Sequence, residues 1–188
     1  MYIRITRGRV DPGRYDDLLR VAPDIIAAIK RLAGCQDCVG GGDRTDGRTV
    51  AVSTFDTEEQ SPEARRQWFE QHQNDELPII VAELNDQIIG WGSLSFYHSR
   101  CAYRQSVEPS LYVASDFVGK GLGERLLEEL LATSRHNRYH CLVVLVCSEN
   151  HRSLKLLNKF GFATIGTLRE VGRKFDRWLD VTITQRLI

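Results

Sequence analysis

Apolar and polar positions alternate along Tyr2 to Val10, YIRITRGRV, with the period of a half-buried strand. Asp11-Pro12-Gly13 breaks the run. Leu18, Leu19, Val21, Ile25, Ile26 and Ile29 then lay a broad apolar face along a helix from about Arg14 to Leu32, which Ala33-Gly34 ends. A short piece from Cys35 to Gly40, the turn-forming cluster GGGDRTDG and a strand over Arg48 to Phe55 complete a β-α-β-β order. Ser61-Pro62-Glu63 reads as a helix start, with Ser61 as N-cap and Pro62 at the first helical position, for a helix reaching about Gln73.

Strand patterns follow over Pro78 to Leu84 and Gln87 to Tyr97, joined by the turn Asn85-Asp86, and over about Ser106 to Ala114. After Gly119 to Gly123, Leu122, Leu126, Leu127, Leu130 and Leu131 fall on one side of a long amphipathic helix. CLVVLVC, Cys141 to Cys147, is apolar enough for a central strand covered on both faces. Asn150 to Phe160 reads as a helix stopped by Gly161, and two strands close the chain, about Ala163 to Val171 and Arg177 to Leu187. The pattern shows no internal repeat and no low-complexity linker.

Composition narrows the function classes. Lys plus Arg and Asp plus Glu both number 25 in 188 residues, so no global field favours nucleic acid, a membrane surface or a polyanion. No apolar run approaches the ~20 residues that span a bilayer. MYIRITRGRV lacks a signal-peptide core, which predicts a cytoplasmic protein. Five cysteines, an odd number, fit reduced thiols. Cys35 and Cys38 form C-x-x-C, but no second pair or suitably spaced histidines complete a zinc site, so no metal is expected.

The sharpest chemical feature is ASDFVGKGLGERLLEELL, a strand end and a glycine-rich turn opening a helix. Glycines at 119, 121 and 123 let the backbone approach a ligand closely, so several N–H groups can point at one anion beside the positive end of a helix. Walker A fails because no hydroxyl residue follows Lys120, and the dinucleotide fingerprint fails because Glu124 stands at its third glycine. The pattern G-x-G-x-G resembles the acetyl-CoA loop of the GCN5-related N-acetyltransferases. NHRSLKLLNKFGF, from Asn150 to Phe162, resembles the same family's N-x-x-[AS]…GF segment. The resemblance implies acetyl-CoA as co-substrate, held by Leu111, Tyr112, Val113, Gly119, Lys120, Gly121, Leu122, Gly123, Glu124, Asn150 and Ser153.

Three stretches, FDTEEQSPEARRQWF, SRCAYRQSVEPSLYV and GTLREVGRKFDRWLDV, are similar to the phosphinothricin (methionine sulfoximine) acetyltransferases, from about Thr54 to Ile188. That branch acetylates the α-amino group of small amino-acid analogues by direct attack, without an acyl-enzyme. The resemblance implies Glu108 as the base that deprotonates the acceptor ammonium, and the N–H of Val113 or Tyr112 as donor to the thioester carbonyl. It sets Phe55, His98, Arg100 and Tyr103 beside the acceptor, with Arg100 gripping its acidic group. Thr57 and Glu58 would help close the pocket. Phe175, Arg177 and Trp178 are further candidates for its wall, with a core position as the alternative for Trp178. Val118, His98 and Leu157 depart from the family pattern; Leu157 stands where many relatives carry the Tyr or His that protonates the leaving thiolate.

The first β-α-β-β order resembles the ferredoxin-like domains of antibiotic-biosynthesis monooxygenases. The expected fold is therefore α/β (α+β): an acetyltransferase mixed sheet flanked by helices, with a ferredoxin-like segment at 1–55 replacing the usual first strand and helix, and the acetyltransferase domain at 56–188. Both resembled families favour homodimers. The alternative function is a catalytically idle composite that keeps a coenzyme A site or a dimerisation surface.

Overall fold

A computed structural model describes residues 4–8, 62–85, 87–174 and 176–188. The expected helix at 14–32, the strand at 48–55, the C-x-x-C pair, Phe55, Thr57, Glu58, the Ser61 cap, Phe175 and the 55/56 boundary lie outside the described residues.

Among the described residues seven strands form one sheet in the order β1-β2-β3-β4-β5-β7-β6. They are β1 (Arg4–Gly8), β2 (Ile79–Leu84), β3 (Gln87–Phe96), β4 (Ser106–Val113), β5 (Cys141–Cys147), β6 (Ala163–Lys174) and β7 (Arg177–Leu187). The helices are α1 (Pro62–Asn74), α2 (Leu122–His136) and α3 (His151–Lys159). Every neighbouring pair is antiparallel except β4 and β5. The β2–β3 hairpin turns at Asn85, whose φ of 50° is one that Asn tolerates and most residues resist.

The core lies between the sheet and α2. Leu122, Leu126, Leu127, Leu130 and Leu131 are buried against Ile80, Ile89, Leu94, Val107 and Leu142. Each fully buried leucine contributes about 1.5–3 kcal/mol of hydrophobic stabilisation. α2 sits close because β3 offers glycine beneath it: a Cβ at Gly92 would stand 3.0 Å from Leu130 Cδ1. On the opposite face, Trp68 of α1 meets Trp91 of β3 edge-on, with ring centroids 5.7 Å apart.

Two expectations need correcting. Leu145 of β5 is 37% exposed, so CLVVLVC is not covered on both faces throughout; beyond Leu142 the strand loses β4 as a neighbour. Trp178 is 59% exposed on β7 and lies under the Arg173 guanidinium, 5.8 Å from the ring centre, so it is not core.

Candidate active site

β4 and β5 run parallel but pair only at Ser106 with Cys141 and Val107 with Leu142. From Glu108 onward the strands diverge, and a cavity of about 590 Å³ opens between them. Hydrogen bonding explains which groups of β4 face the gap. Tyr97 N–H donates to the Ser106 carbonyl (3.1 Å) and Ala114 N–H to the Ile89 carbonyl (2.9 Å). Antiparallel pairing alternates, so Glu108, Ser110 and Tyr112 turn their backbone groups toward β3, and Val107, Pro109, Leu111 and Val113 turn theirs toward β5. Pro109 has no N–H to offer, and proline in a sheet belongs at such an unpaired edge. A proline thus stands where continued pairing with β5 would need a donor. Of the two oxyanion donors expected from the sequence, the Val113 N–H faces the gap; the Tyr112 N–H lies on the β3 side.

Glu108 is the first residue past the last paired position and lines the cavity. Burial pushes its carboxyl above the usual carboxylate range. Its cross-strand partner is Ser95, whose hydroxyl meets His72 Nε2 of α1 at 3.0 Å. Tyr112 stacks on its own partner, Trp91, with ring centroids 4.2 Å apart and planes 16° apart.

The glycine loop leads into α2 beside the gap: a Cβ at Gly123 would stand 3.7 Å from Leu111 and 3.6 Å from Leu156, both wall residues. Gly119 and Gly121 have φ of 79° and 81°, values that cost an L side chain about 1–2 kcal/mol. Gly121 is the N-cap of α2 and no side chain caps the helix, so its first-turn N–H groups are not bonded by a cap. A Cβ at Gly119 or Gly121 would meet nothing within 4 Å, so protein packing does not demand these glycines. The open space fits a ligand lying against the backbone. On the other side, Asn150 accepts the Ser153 N–H (3.1 Å) and caps α3, and both residues line the cavity.

Residues 48–162 match the model of the Acetyltransferase (GNAT) family. The chain belongs to this family. It is 37% identical to the phosphinothricin N-acetyltransferase of Streptomyces coelicolor over 136 residues, 71% of this chain and 80% of that protein. It is 36% identical to the L-methionine sulfoximine/L-methionine sulfone acetyltransferase of Salmonella typhimurium over 121 residues, covering 64% of this chain and 71% of that one. A solved acetyltransferase structure from Salmonella typhimurium, with its cofactor acetyl-CoA, superposes at TM-score 0.77 and 27% identity, covering 98% of this chain and 94% of that chain.

Within this acetyltransferase the cavity brings together Glu108, Leu111, Tyr112, Asn150 and Ser153 from among the residues named in the sequence. The Leu122 side chain is in the core, which leaves its backbone for a ligand. Glu124 pairs with Lys159 at 2.7 Å, and the Lys120 ammonium lies 5.4 Å from the centre of the Phe117 ring. His98, Arg100 and Tyr103 lie on the exposed connection between β3 and β4, outside the cavity wall. There the His98 and Tyr103 rings are 5.1 Å apart, and Arg100 N–H donates to His98 Nδ1 at 3.2 Å. Arg177 is held by Glu149 through two 2.7 Å bonds and does not line the cavity. Leu157 is buried and does line it. Sequence reasoning missed Arg173 and Gly172 as wall residues, although they lie in the quoted stretch GTLREVGRKFDRWLDV. It also missed His72, whose signal was a lone histidine in the last turn of an amphipathic helix.

Proposed function

We propose that this chain transfers acetyl from acetyl-CoA to the α-amino group of a small amino acid or analogue of the phosphinothricin or methionine sulfoximine type. The observation that carries this reading is the splay of β4 from β5 with Glu108 at its apex and the glycine-led start of α2, at Gly123, against the wall residues Leu111 and Leu156. Relatives named for those two acceptors, and a related structure holding acetyl-CoA, support it.

The residues fit the co-substrate. The N–H groups at the start of α2, beside Gly119 and Gly121, would hold the pyrophosphate. Asn150 and Ser153 would flank the pantetheine arm, and the Val113 N–H would receive the thioester carbonyl oxygen. Acetyl-CoA supplies an activated acyl group with a good leaving thiolate. Glu108 takes a proton from the acceptor ammonium, and the freed amine attacks the acetyl carbon directly. Burial suits Glu108 to this task, because a carboxylate with a raised pKa is a stronger base. Arg100 would grip the acceptor's acidic group, with His98 and Tyr103 beside it and Phe55 helping to close the pocket. Leu157 offers no proton, so the thiolate leaves unassisted.

In this reading residues 1–55 are a ferredoxin-like segment and 56–188 the acetyltransferase proper. β1 pairs with β2 inside the common sheet, which supports a seam rather than a linker. The family match begins at residue 48, so the two parts share residues 48–55. Ile165, Leu168 and Val171 of β6 and Trp178 of β7 are large apolar side chains exposed on that hairpin, which supports a homodimer across it. Free thiols at Cys101, Cys141 and Cys147 support a cytoplasmic setting.

Calorimetric titration with acetyl-CoA, followed by turnover on an amino-acid panel that includes both analogues, tests the reading. Binding and acetylation are expected. Binding without acetylation of any panel member would favour the idle composite that keeps a coenzyme A site, and no binding would sink the acetyltransferase reading.

A further inference from the structure

Beneath α1 the sheet carries a polar strip where an apolar face would be ordinary. Ser93 and Ser95 of β3 stand directly opposite Ser110 and Glu108 of β4. The Ser93 hydroxyl is buried and has no partner among the described residues. His72, also buried, closes over the strip from the last turn of α1.

The hydrogen bonds of His72 have a fixed sense. A carbonyl can only accept, so the 2.9 Å contact to the Trp68 carbonyl makes Nδ1 the protonated nitrogen. Burial pulls the His72 pKa down and keeps the ring neutral, so Nε2 is an acceptor. The Ser95 hydroxyl therefore donates to it across 3.0 Å. With its proton committed, the Ser95 oxygen presents only lone pairs to its surroundings. Its direct cross-strand neighbour on the same face is Glu108, and such partners have Cβ atoms about 4.5–5.5 Å apart. That spacing is within reach of a glutamic acid O–H, the species formed once the base has done its work.

We propose that Ser95 and His72 form a proton relay that drains Glu108, with both serving as positioning residues for the base. The proposal rests on Glu108 being the base. The N–H bond of the acceptor breaks and an O–H bond forms on Glu108. That proton moves to the Ser95 oxygen while the hydroxyl proton of Ser95 moves to His72 Nε2. Glu108 is again a carboxylate and His72 an imidazolium; once product has left, the proton retraces the path to Glu108 and passes to solvent through the cavity that Glu108 lines. Burial raises the Glu108 carboxyl from 4.5 and lowers the His72 imidazole from 6.5, each toward the other's ordinary value. The charge acting on His72 is Asp75, just past the end of its helix; from the sheet it meets Ser95 on β3, with Glu108 beyond on β4.

Steady-state kinetics on Ser95→Val and Ser95→Thr decide the matter, since the two side chains have nearly the same shape and differ by the hydroxyl. Ser95→Val is expected to lose about tenfold or more in kcat, with both KM values within about twofold of the wild type. Ser95→Thr should restore kcat. Ser95→Ala, which adds no volume, is run beside them and should also lose kcat if overpacking prevents the larger variants from folding. Equal kcat in the Val and Thr variants, or in Ala and wild type when the larger ones fail to fold, overturns the relay. Glu108→Gln separates the two layers. If it too keeps full kcat, the base assignment fails and the relay with it; if it alone is slow, only the relay fails.

Discussion

Val107 and Leu142 are the last residues at which β4 and β5 run side by side, and Glu108 follows at once. The proposed base is thus at the point where a strand loses its neighbour, half-screened by the sheet yet open to a cavity. That position explains its raised pKa and sets up a conflict between stability and activity.

Glu108→Gln should stabilise the protein while slowing it. The folded-state pKa lies above the unfolded value of 4.5, so the contribution of Glu108 to stability is full below 4.5 and is lost as pH rises through the raised value. At neutral pH the buried charge is a cost that glutamine removes. Calorimetry should show a higher Tm at pH 7, with the gap closing as pH falls toward 4.5. Turnover should fall about 100-fold or more, with acetyl-CoA affinity unchanged.

His72 acts in the opposite direction with pH. Its folded-state pKa is depressed below 6.5, so its contribution is full above 6.5 and is lost as pH falls through the folded value. A Tm profile from about pH 8 down to pH 5 should therefore decline less steeply in His72→Gln than in the wild type.

Asn150 has two duties that one pair of substitutions can separate. Its Oδ1 caps α3, and Asn150→Ala should cost about 1 kcal/mol of stability. Asn150→Asp keeps the capping oxygen but exchanges the amide NH2 for a negative charge. It should hold the wild-type Tm and still bind acetyl-CoA less tightly in a calorimetric titration.

Gly121→Ala tests the loop. Its φ of 81° disfavours alanine by about 1–2 kcal/mol, and the added methyl would enter space that no protein atom fills. Acetyl-CoA affinity should fall at least about tenfold, equivalent to 1.4 kcal/mol. A loss of stability with affinity intact would show that the open space is not the phosphate site.

Much of the architecture was legible because its signals are local. Strand alternation, the leucine stripe of α2 and the glycine spacing each fall within one or two turns or strands. They located β2 to β5, α2 and α3 to within a few residues. Leu145 was misread because the apolar run CLVVLVC looks the same whether or not a neighbouring strand stays alongside. Trp178 was left open between wall and core for the same reason: an aromatic residue in a strand does not reveal which face is covered.

What the sequence determined by itself was the set of chemical parts: a carboxylate beside a proline in β4, a glycine loop opening a helix, and a capping asparagine after a buried strand. Register and burial decided the rest. Only cross-strand pairing sets Ser95 against Glu108 and turns the Val113 N–H, rather than that of Tyr112, toward the gap. Only packing closes His72 over Ser95, across 23 residues of chain. Such relationships depend on which distant segments become neighbours, and a one-residue change of register would face every one of those side chains the other way.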